Sequence, residues 1–289
     1  MYDLIIQNAL IYDGSGQPPF SGDVAVSDSR IAEVEAPGVL APDSAGEAID
    51  AAGLCLSPGF IDVHSHSDYY LLISPLADSK LRQGVTTEVI GQCGMSGFPL
   101  TGLNRTEEQM GVNGLGLDLD WSTLEQFREK LEEIRPSINV VAMVGHGMVR
   151  SAVMGYEKKS PCGDELEAMK NLVAQAMDEG ASGFSSGLQY PPGRYGDTRE
   201  VAELARVAGE KGGFYATHIR NEADHLIQSI DETIRIGGQA SIPVMISHLK
   251  ASGRPNWGKA GQAITQIEKG RHRGVDVTDR KSTRLNSSH

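Results

Sequence analysis

Short apolar runs alternate with segments of helical periodicity after residue 54 of the chain. The runs are four to eight residues long and rich in β-branched side chains, as is typical of buried parallel strands. Seven runs follow one another: GFIDVHSH, TTEVIGQC, NVVAMVGH, GFSSGL, FYATHIR, VMISHLK and GVDVT. Repeated strand–helix units predict a parallel sheet, so we expect an α/β fold of the (β/α)8 TIM-type barrel that is incomplete, with about seven strands.

Three of the helices between these runs carry start or stop signals. Asp164 and Glu167 are spaced as in a capping box at the start of the first helix. Thr198 is placed to cap the second helix, and Gly237 with Gly238 is expected to end the third. These signals support the alternation of strands and helices.

The segment before the barrel has a different rhythm. Residues 1–54 contain short alternating stretches separated by turns rich in glycine and proline, which predict the N-terminal part of a small β-domain. Residues 55–278 form the predicted barrel with strands 1 to 7. Within it, residues 103–121 are rich in glycine without a clear period and are predicted to cover the barrel mouth as a lid.

Histidine and cysteine fall at the ends of the predicted strands. His64 and His66 are two residues apart, so an extended strand would point both imidazoles to one face. The chemistry of such barrels sits at the carboxyl ends of the strands. The strand-end residues are His64, His66, Cys93, His146, His218 and His248. Imidazole and thiolate ligands favour zinc, whereas His146 could equally contact a substrate or brace a loop.

Composition and charge exclude several classes of function. A net charge of −12 argues against a surface for nucleic acid or anionic membranes. We find neither a signal peptide nor an apolar run long enough to cross a membrane, and three cysteines do not make a disulfide framework. We therefore expect a cytoplasmic protein with a small-molecule substrate. Its oligomeric state is not indicated.

Five stretches of the sequence together resemble one known family. SPGFIDVHSHSD, GQCGMSGFP, GFSSGLQYPPG, THIRNE and ISHLK are similar to the N-acyl-D-amino-acid deacylases, or D-aminoacylases, of the amidohydrolase superfamily. The resemblance covers residues 2–278 and implies a metal-dependent hydrolase barrel. It also implies zinc-dependent hydrolysis of N-acyl-D-amino acids to a carboxylate and a D-amino acid.

The resemblance implies a set of metal ligands. Cys93, His218 and His248 match the tight zinc site of the family, and His64 with His66 matches a second, weaker site. The cysteine takes the place of the carboxylated lysine that many members of the superfamily carry on the fourth strand. The fourth run here, GFSSGLQY, contains no lysine.

The same resemblance implies roles for residues around the metal ligands. Lys250 matches the position that binds the substrate carboxylate, although a surface lysine at the barrel rim is the alternative. Tyr190 is expected to line the pocket. Arg220 and Glu222 are expected to orient His218 from outside the ligand set, as such residues often do.

The general base of the family is an aspartate at the end of an eighth strand, which we expect beyond the end of this chain. Asp276, on the seventh run, does not match it. Residues 279–289, DRKSTRLNSSH, break the pattern and resemble a translated sequencing adapter, so we expect a non-native tail. We therefore expect these 289 residues to have impaired activity relative to the parent protein.

Two alternatives stay open from the sequence. Another amidohydrolase acting on cyclic amides, such as a hydantoinase or dihydroorotase, is disfavoured by Cys93 and by the missing lysine. A non-catalytic barrel that keeps a structural metal would be favoured if the complete gene lacked the aspartate of the eighth strand. The preferred acyl group and amino-acid side chain cannot be inferred from the sequence.

Overall fold

The computed structural model of the protein describes residues 1–279. It contains two compact units that meet in the sequence between Phe60 and Ile61. Residues 280–289, which make up nearly all of the expected non-native tail, lie outside the described residues. No helix among residues 1–279 combines the length and the apolar character needed to cross a membrane.

The first unit is a five-stranded sheet. Its strands are β1 (Tyr2–Ile11), β2 (Phe20–Ser27), β3 (Arg30–Glu35), β4 (Ala45–Asp50) and β5 (Cys55–Leu56). Strand β1 is central: it pairs antiparallel with β2 and parallel with β4 and β5. Ile5 and Ala25 are fully buried in this unit, as alternation along the strands requires. Cys55 pairs with Leu10, which places β5 in this unit rather than in the barrel unit.

The second unit contains the seven predicted strand runs. Its strands are β6 (Phe60–Asp62), β7 (Val85–Ile90), β8 (Asn139–Ala142), β9 (Val144–Gly145), β10 (Gly183–Gly187), β11 (Phe214–His218), β12 (Val244–Ile246) and β13 (Val277–Asp279). The third run forms two strands, β8 and β9, with Met143 between them. Neighbours in the sheets follow chain order, and every pair from β9 to β13 is parallel. These strands form two open sheets, β6–β8 and β9–β13, which confirms the predicted α/β fold; no closed barrel is formed among residues 1–279.

Helices separate most of the consecutive strands. They are α1 (Tyr70–Ile73), α2 (Asp78–Leu81), α3 (Arg105–Val112), α4 (Leu124–Ile134), α5 (His146–Met154), α6 (Gly163–Asp178), α7 (Thr198–Glu210), α8 (Leu226–Ala240) and α9 (Ala260–His272). The main apolar core of the unit lies where these helices cover the sheet, with Phe184 and Tyr215 of the strands and Val201 and Leu204 of α7 fully buried. The carboxyl ends of the strands are left for polar residues.

Two helix starts differ from the predicted caps. Helix α6 is capped by Cys162, whose backbone amide donates to the Glu165 carboxylate at 2.8 Å, so the capping box begins two residues earlier than Asp164. Helix α7 is capped by Asp197, whose carboxylate accepts from the backbone amide of Glu200 at 2.8 Å. Aspartate and threonine are both good caps, and the first residue with extended backbone takes the role.

The predicted end of the third helix was wrong. Helix α8 continues through Gly237 and Gly238 to Ala240 and ends at Ser241, which has left-handed backbone. A Cβ atom at position 237 would lie 2.4 Å from Val244 Cγ2. Gly237 is therefore a packing residue that lets α8 approach strand β12, and not a stop signal.

The glycine-rich stretch 103–121 is folded rather than loose. It contains α3, and its last residue, Trp121, is only 2% exposed. The indole Nε1 of Trp121 donates to the Gly97 carbonyl at 2.7 Å, and its ring lies 5.4 Å from the ring of Phe127. These contacts attach the stretch close to the end of strand β7.

Candidate metal centre

The ends of four strands bring one thiol and three imidazoles together. Cys93 follows β7, His64 follows β6, His218 ends β11 and His248 follows β12. Cys93 Sγ lies 3.4 Å from His64 Nε2, 3.6 Å from His248 Nε2 and 3.8 Å from His218 Nδ1. The sequence predicted all four residues as ligands, and the structure places them in one cluster.

The spacing of these atoms fits a metal ion. Zinc binds thiolate at about 2.3 Å and imidazole at about 2.0–2.1 Å, so sulfur and nitrogen of a tetrahedral site lie roughly 3.5 Å apart. The three distances from Cys93 Sγ match this value. The imidazoles also supply neutral nitrogen donors of the borderline-soft kind that zinc prefers. The ligand atoms fall into two groups in which every distance is below 4.8 Å, His64–Cys93–His248 and His218–Glu222–His248, and each group could hold a metal ion.

Two residues of the cluster lie on strained backbone. Cys93 has φ of 56° and His248 has φ of 36°, a region that side chains with a Cβ rarely adopt. Gly91 and Gly94 flank Cys93 with φ of 73° and 76°. A Cβ on Gly91 would lie 2.0 Å from the Met143 carbonyl oxygen, so only glycine allows this tight turn. Backbone strain of this kind is typical of functional sites.

Burial shifts the pKa values of Cys93, His218 and His66, so that the thiol stays protonated and these two imidazoles stay neutral. Burial raises the pKa of Cys93 to about 11. Burial also lowers the pKa of His218 to about 4, because the charged imidazolium loses its water shell. The pKa of His66 is also lowered, mainly because its ring is buried. At neutral pH, His218 therefore offers a free electron pair, and Cys93 must lose a proton to become a ligand.

Glu222 lies closer to His248 than to His218, the residue that it was predicted to orient. Its Oε1 lies 2.9 Å from His248 Nδ1 and 3.9 Å from His218 Nε2. The same oxygen accepts from Lys250 Nζ at 2.5 Å. The nearest partner of His218 Nε2 is instead the side-chain oxygen of Gln189, at 2.7 Å. Gln189 was not predicted from the sequence, although it directly precedes Tyr190.

Arg220 does not orient His218. Its guanidinium makes two hydrogen bonds to Glu232, both 2.9 Å long, and donates to the carbonyls of Arg194 and Gly196. It therefore ties the loop after β10 to helix α8. Its effect on the cluster is at most to hold that loop in place.

His146 lies outside the cluster and has no exposed surface. It is the first residue of α5 and not the last of a strand, because β9 already ends at Gly145. Its Nε2 lies 2.8 Å from the Glu200 carboxylate, whose other oxygen accepts from Arg150 at 2.6 Å. His146 is 0% exposed, so this placement does not support the predicted contact with substrate.

A cavity of about 150 Å³ opens beside the cluster. Two predicted metal ligands, His66 and Cys93, and the predicted pocket residue Tyr190 line it. Other lining residues come from the loops after β6 and β7 and from α3 and α5: Asp68, Tyr69, Met95, Glu108, Met148 and Tyr156. Its wall is therefore mostly apolar, with carboxyl groups but neither lysine nor arginine.

Tyr190 supports the turn that carries Cys93. Its hydroxyl donates to the Cys93 carbonyl oxygen at 2.9 Å, and its ring lies 5.2 Å from that of His218. Tyr190 is thus held between two cluster residues. Its apolar ring faces the cavity described above.

The chain matches known amidohydrolases along most of its length. It is 36% identical to D-aminoacylase and to N-acyl-D-glutamate deacylase, both from Alcaligenes xylosoxydans xylosoxydans, over 92% and 95% of its residues. Its structure is also similar to that of N-acyl-D-glutamate deacylase from Bordetella bronchiseptica, which was solved with zinc and a phosphonate mimic of the tetrahedral intermediate. That match has a TM-score of 0.88 and 36% identity over 96% of this chain.

The chain spans just over half the length of these relatives, 54% and 55% of the two sequences and 58% of the solved chain. The profile of the amidohydrolase family matches residues 47–262, which include His64, Cys93, His218 and His248. These residues form the cluster, and the match covers most of the chain. The protein belongs to the amidohydrolase family.

Proposed function

We propose that the protein hydrolyses N-acyl-D-amino acids to a carboxylate and a free D-amino acid, in a reaction that depends on zinc. The observation that carries the proposal is the Cys93 thiol surrounded by three imidazoles at 3.4–3.8 Å, next to a lysine. A cysteine at this position is similar to the deacylases, and not to the amidohydrolases that carry a carboxylated lysine on the fourth strand. Relatives at 36% identity bear the names D-aminoacylase and N-acyl-D-glutamate deacylase.

Within this proposal, Cys93, His218 and His248 hold a tight zinc site, while His64 and His66 contribute to a weaker second site. Zinc bound there would supply Lewis-acid polarisation of the amide carbonyl and acidify a water toward neutral pH. The residues keep that chemistry oriented, because Gln189 and Glu222 bond the outer nitrogens of His218 and His248. The proximity of His64 Nε2 to Cys93 Sγ supports a thiol shared between the two sites.

Lys250 is the proposed contact of the substrate carboxylate. Its ammonium group lies 3.2 Å from His248 Nδ1, and its side chain is 43% exposed. A substrate carboxylate at Lys250 would place the scissile amide near the cluster. Tyr190 lines the neighbouring cavity, whose wall does not include Lys250.

Two carboxylates near the cluster are already engaged by other groups. Glu222 is engaged by His248 and Lys250, and Asp68 accepts from the backbone amides of Gly91 and Gly97. We therefore propose, as the family resemblance implies, an aspartate outside the described residues as the general base. On this basis the 289-residue chain binds substrate analogues but turns substrates over slowly.

Binding of a transition-state mimic tests the proposal without the general base. The zinc-loaded chain is titrated calorimetrically with a phosphonate analogue of an N-acyl-D-amino acid and with its L-enantiomer. We expect zinc-dependent binding that favours the D-enantiomer at least tenfold, and weaker binding to Lys250→Met.

Turnover gives the second test. We expect slow, zinc-dependent release of D-amino acid, at a rate more than tenfold below that of a longer relative. Equal binding of both enantiomers, or faster opening of a hydantoin or dihydroorotate ring, would contradict the deacylase assignment. A rate within tenfold of the relative would contradict only the proposal about the missing base.

A further inference from the structure

Each of two cluster histidines has a second partner, but the partners differ in charge. His218 turns Nδ1 to Cys93 and has Gln189 on Nε2 at 2.7 Å. His248 turns Nε2 to Cys93 and has Glu222 on Nδ1 at 2.9 Å. The first partner is a neutral amide, whereas the second is a carboxylate.

We propose that Glu222 is a positioning residue, which fixes the orientation and tautomer of His248 for metal binding and holds the Lys250 ammonium beside it. The inference rests on the metal site of the proposed function and deepens it. In this role one oxygen of Glu222 contacts both His248, a proposed metal ligand, and Lys250, the proposed contact of the substrate carboxylate.

The hydrogen bond determines which nitrogen of His248 can bind a metal. A metal at Nε2 needs the free electron pair there, so the ring proton must be on Nδ1. Glu222 Oε1, which can only accept hydrogen bonds when the carboxyl is ionised, lies 2.9 Å from that nitrogen; it is closer than the Lys250 ammonium at 3.2 Å, a donor that would favour the other tautomer. A carboxylate partner also makes the imidazole a stronger donor to the metal than an amide partner does.

The strained backbone makes this support necessary. His248 has φ of 36°, and it follows the last residue of β12 by two positions, so no strand pairing holds it. Its ring is packed edge-on against the rings of His64 and His218, with centroids 5.2 and 4.4 Å away. Packing alone leaves the ring free to flip by 180° about χ2, which exchanges Nδ1 and Cδ2. The bond to Glu222 selects one of the two orientations.

Burial makes Glu222 an effective partner. Its side chain is 8% exposed, whereas that of Lys250 is 43% exposed. Charge-assisted hydrogen bonds in such a shielded position are stronger than those in water. One oxygen, Oε1, receives both His248 Nδ1 and Lys250 Nζ, so the carboxylate places the two groups next to each other.

The experiment measures zinc affinity, which does not depend on turnover. The full chain is prepared metal-free as the parent, Glu222→Gln, Glu222→Ala and the control Glu232→Gln, which alters a carboxylate that pairs with Arg220 away from the cluster. Zinc dissociation constants are obtained by competition with a chromophoric chelator. We expect about a 10-fold loss for the glutamine variant and up to about 100-fold for the alanine variant. The control should stay within about twofold of the parent.

A spectroscopic measurement separates positioning from general structural support. Nitrogen NMR of the metal-free protein should show the Nδ1–H tautomer of His248 in the parent and a mixture of tautomers in Glu222→Ala. Thermal unfolding of the metal-free proteins identifies a variant that has lost its fold. If Glu222→Ala does not fold, the zinc affinity of the isosteric Glu222→Gln variant tests the inference. Unchanged zinc affinity in both Glu222 variants, or an equal loss in the Glu232 control, would overturn the inference alone. A parent chain that binds no zinc would overturn both the inference and the zinc site of the proposed function.

Discussion

Replacing Glu200 by glutamine tests what His146 does in this fold. Glu200 lies on α7 with its side chain 1% exposed, and the Arg150 side chain is 0% exposed. One carboxylate oxygen lies 2.6 Å from Arg150 and the other 2.8 Å from His146. The substitution keeps the shape of the side chain but leaves the Arg150 charge without its counter-charge inside the protein.

The magnitude follows from that burial. Removing one partner of a buried ion pair costs about 3–5 kcal/mol, because the remaining charge is desolvated and uncompensated. Arg150 retains hydrogen bonds to the carbonyls of Glu157 and Lys159, and the glutamine oxygen can still accept one bond. We therefore expect a loss at the lower end, about 3 kcal/mol in the free energy of unfolding.

The dependence on pH gives the loss a signature. Burial alone would raise the pKa of Glu200, but the hydrogen bonds from His146 and Arg150 outweigh it and hold the pKa below the ordinary value of 4.5. A carboxyl group with a lowered pKa in the folded state stabilises the protein fully above its unfolded pKa. That contribution disappears as the pH falls through the folded pKa. The difference between parent and variant should therefore be full at neutral pH and shrink in acid.

Urea unfolding of metal-free protein measures the effect, with Glu203→Gln on the same helix as the matched control. Glu203 pairs with Arg206 at 2.8 Å and with Lys170 at 3.1 Å, but all three side chains are partly exposed, so the loss should cost about 1 kcal/mol. A Glu200 variant within about 1 kcal/mol of the parent, or a loss that is independent of pH, would refute this account of the buried triad.

Three further predictions concern the cluster and helix α8. Cys93→Ala should weaken zinc binding by at least about 100-fold in the chelator competition, because the central ligand is lost. A smaller loss would mean that zinc binds at residues other than this cluster. Zinc binding at neutral pH should release about one proton from Cys93, because the pKa of this thiol is raised to about 11. Calorimetry in buffers of different ionisation enthalpy measures the release. If no proton is released, the thiol is already ionised in the metal-free protein. Gly237→Ala should destabilise the protein by about 1–3 kcal/mol because the new Cβ would clash with Val244. Gly238→Ala, whose Cβ would have its nearest contact at 3.5 Å, should be neutral or stabilising. Equal urea-unfolding curves for the two variants would contradict the packing role of Gly237.

The strands could be predicted from the sequence because the runs are short, are separated by helical segments and, as in β10, can be buried on both faces. Each of the seven runs contains a strand, and the break at Met143 was the only subdivision. Helix ends were less predictable. Cys162 capped α6 and Gly237 lay inside α8, because tertiary contacts decided which of several acceptable residues took each role.

The residues of the cluster could be predicted because histidine and cysteine are chemically unusual at strand ends. The neighbours of these residues could not be assigned in the same way. Glu222 was expected beside His218 on the same segment, and it does lie 3.9 Å from that ring, but it is closer, at 2.9 Å, to His248 after the next strand. Sequence distance does not give the direction of a side chain after a strand has ended, and the choice between two adjacent imidazoles depends on that direction.

His146 shows the same limit from the other side. It follows an apolar run as His64 and His218 do, but its backbone has already entered helix α5, so its ring turns into the protein. His248 does the opposite: its left-handed φ of 36° breaks the alternation of the strand and turns the imidazole toward Cys93. Strain of this kind costs on the order of 1–3 kcal/mol and persists only where the surroundings enforce it. The cluster therefore depends on contacts such as those of Glu222, which hold a backbone that the local sequence would not adopt.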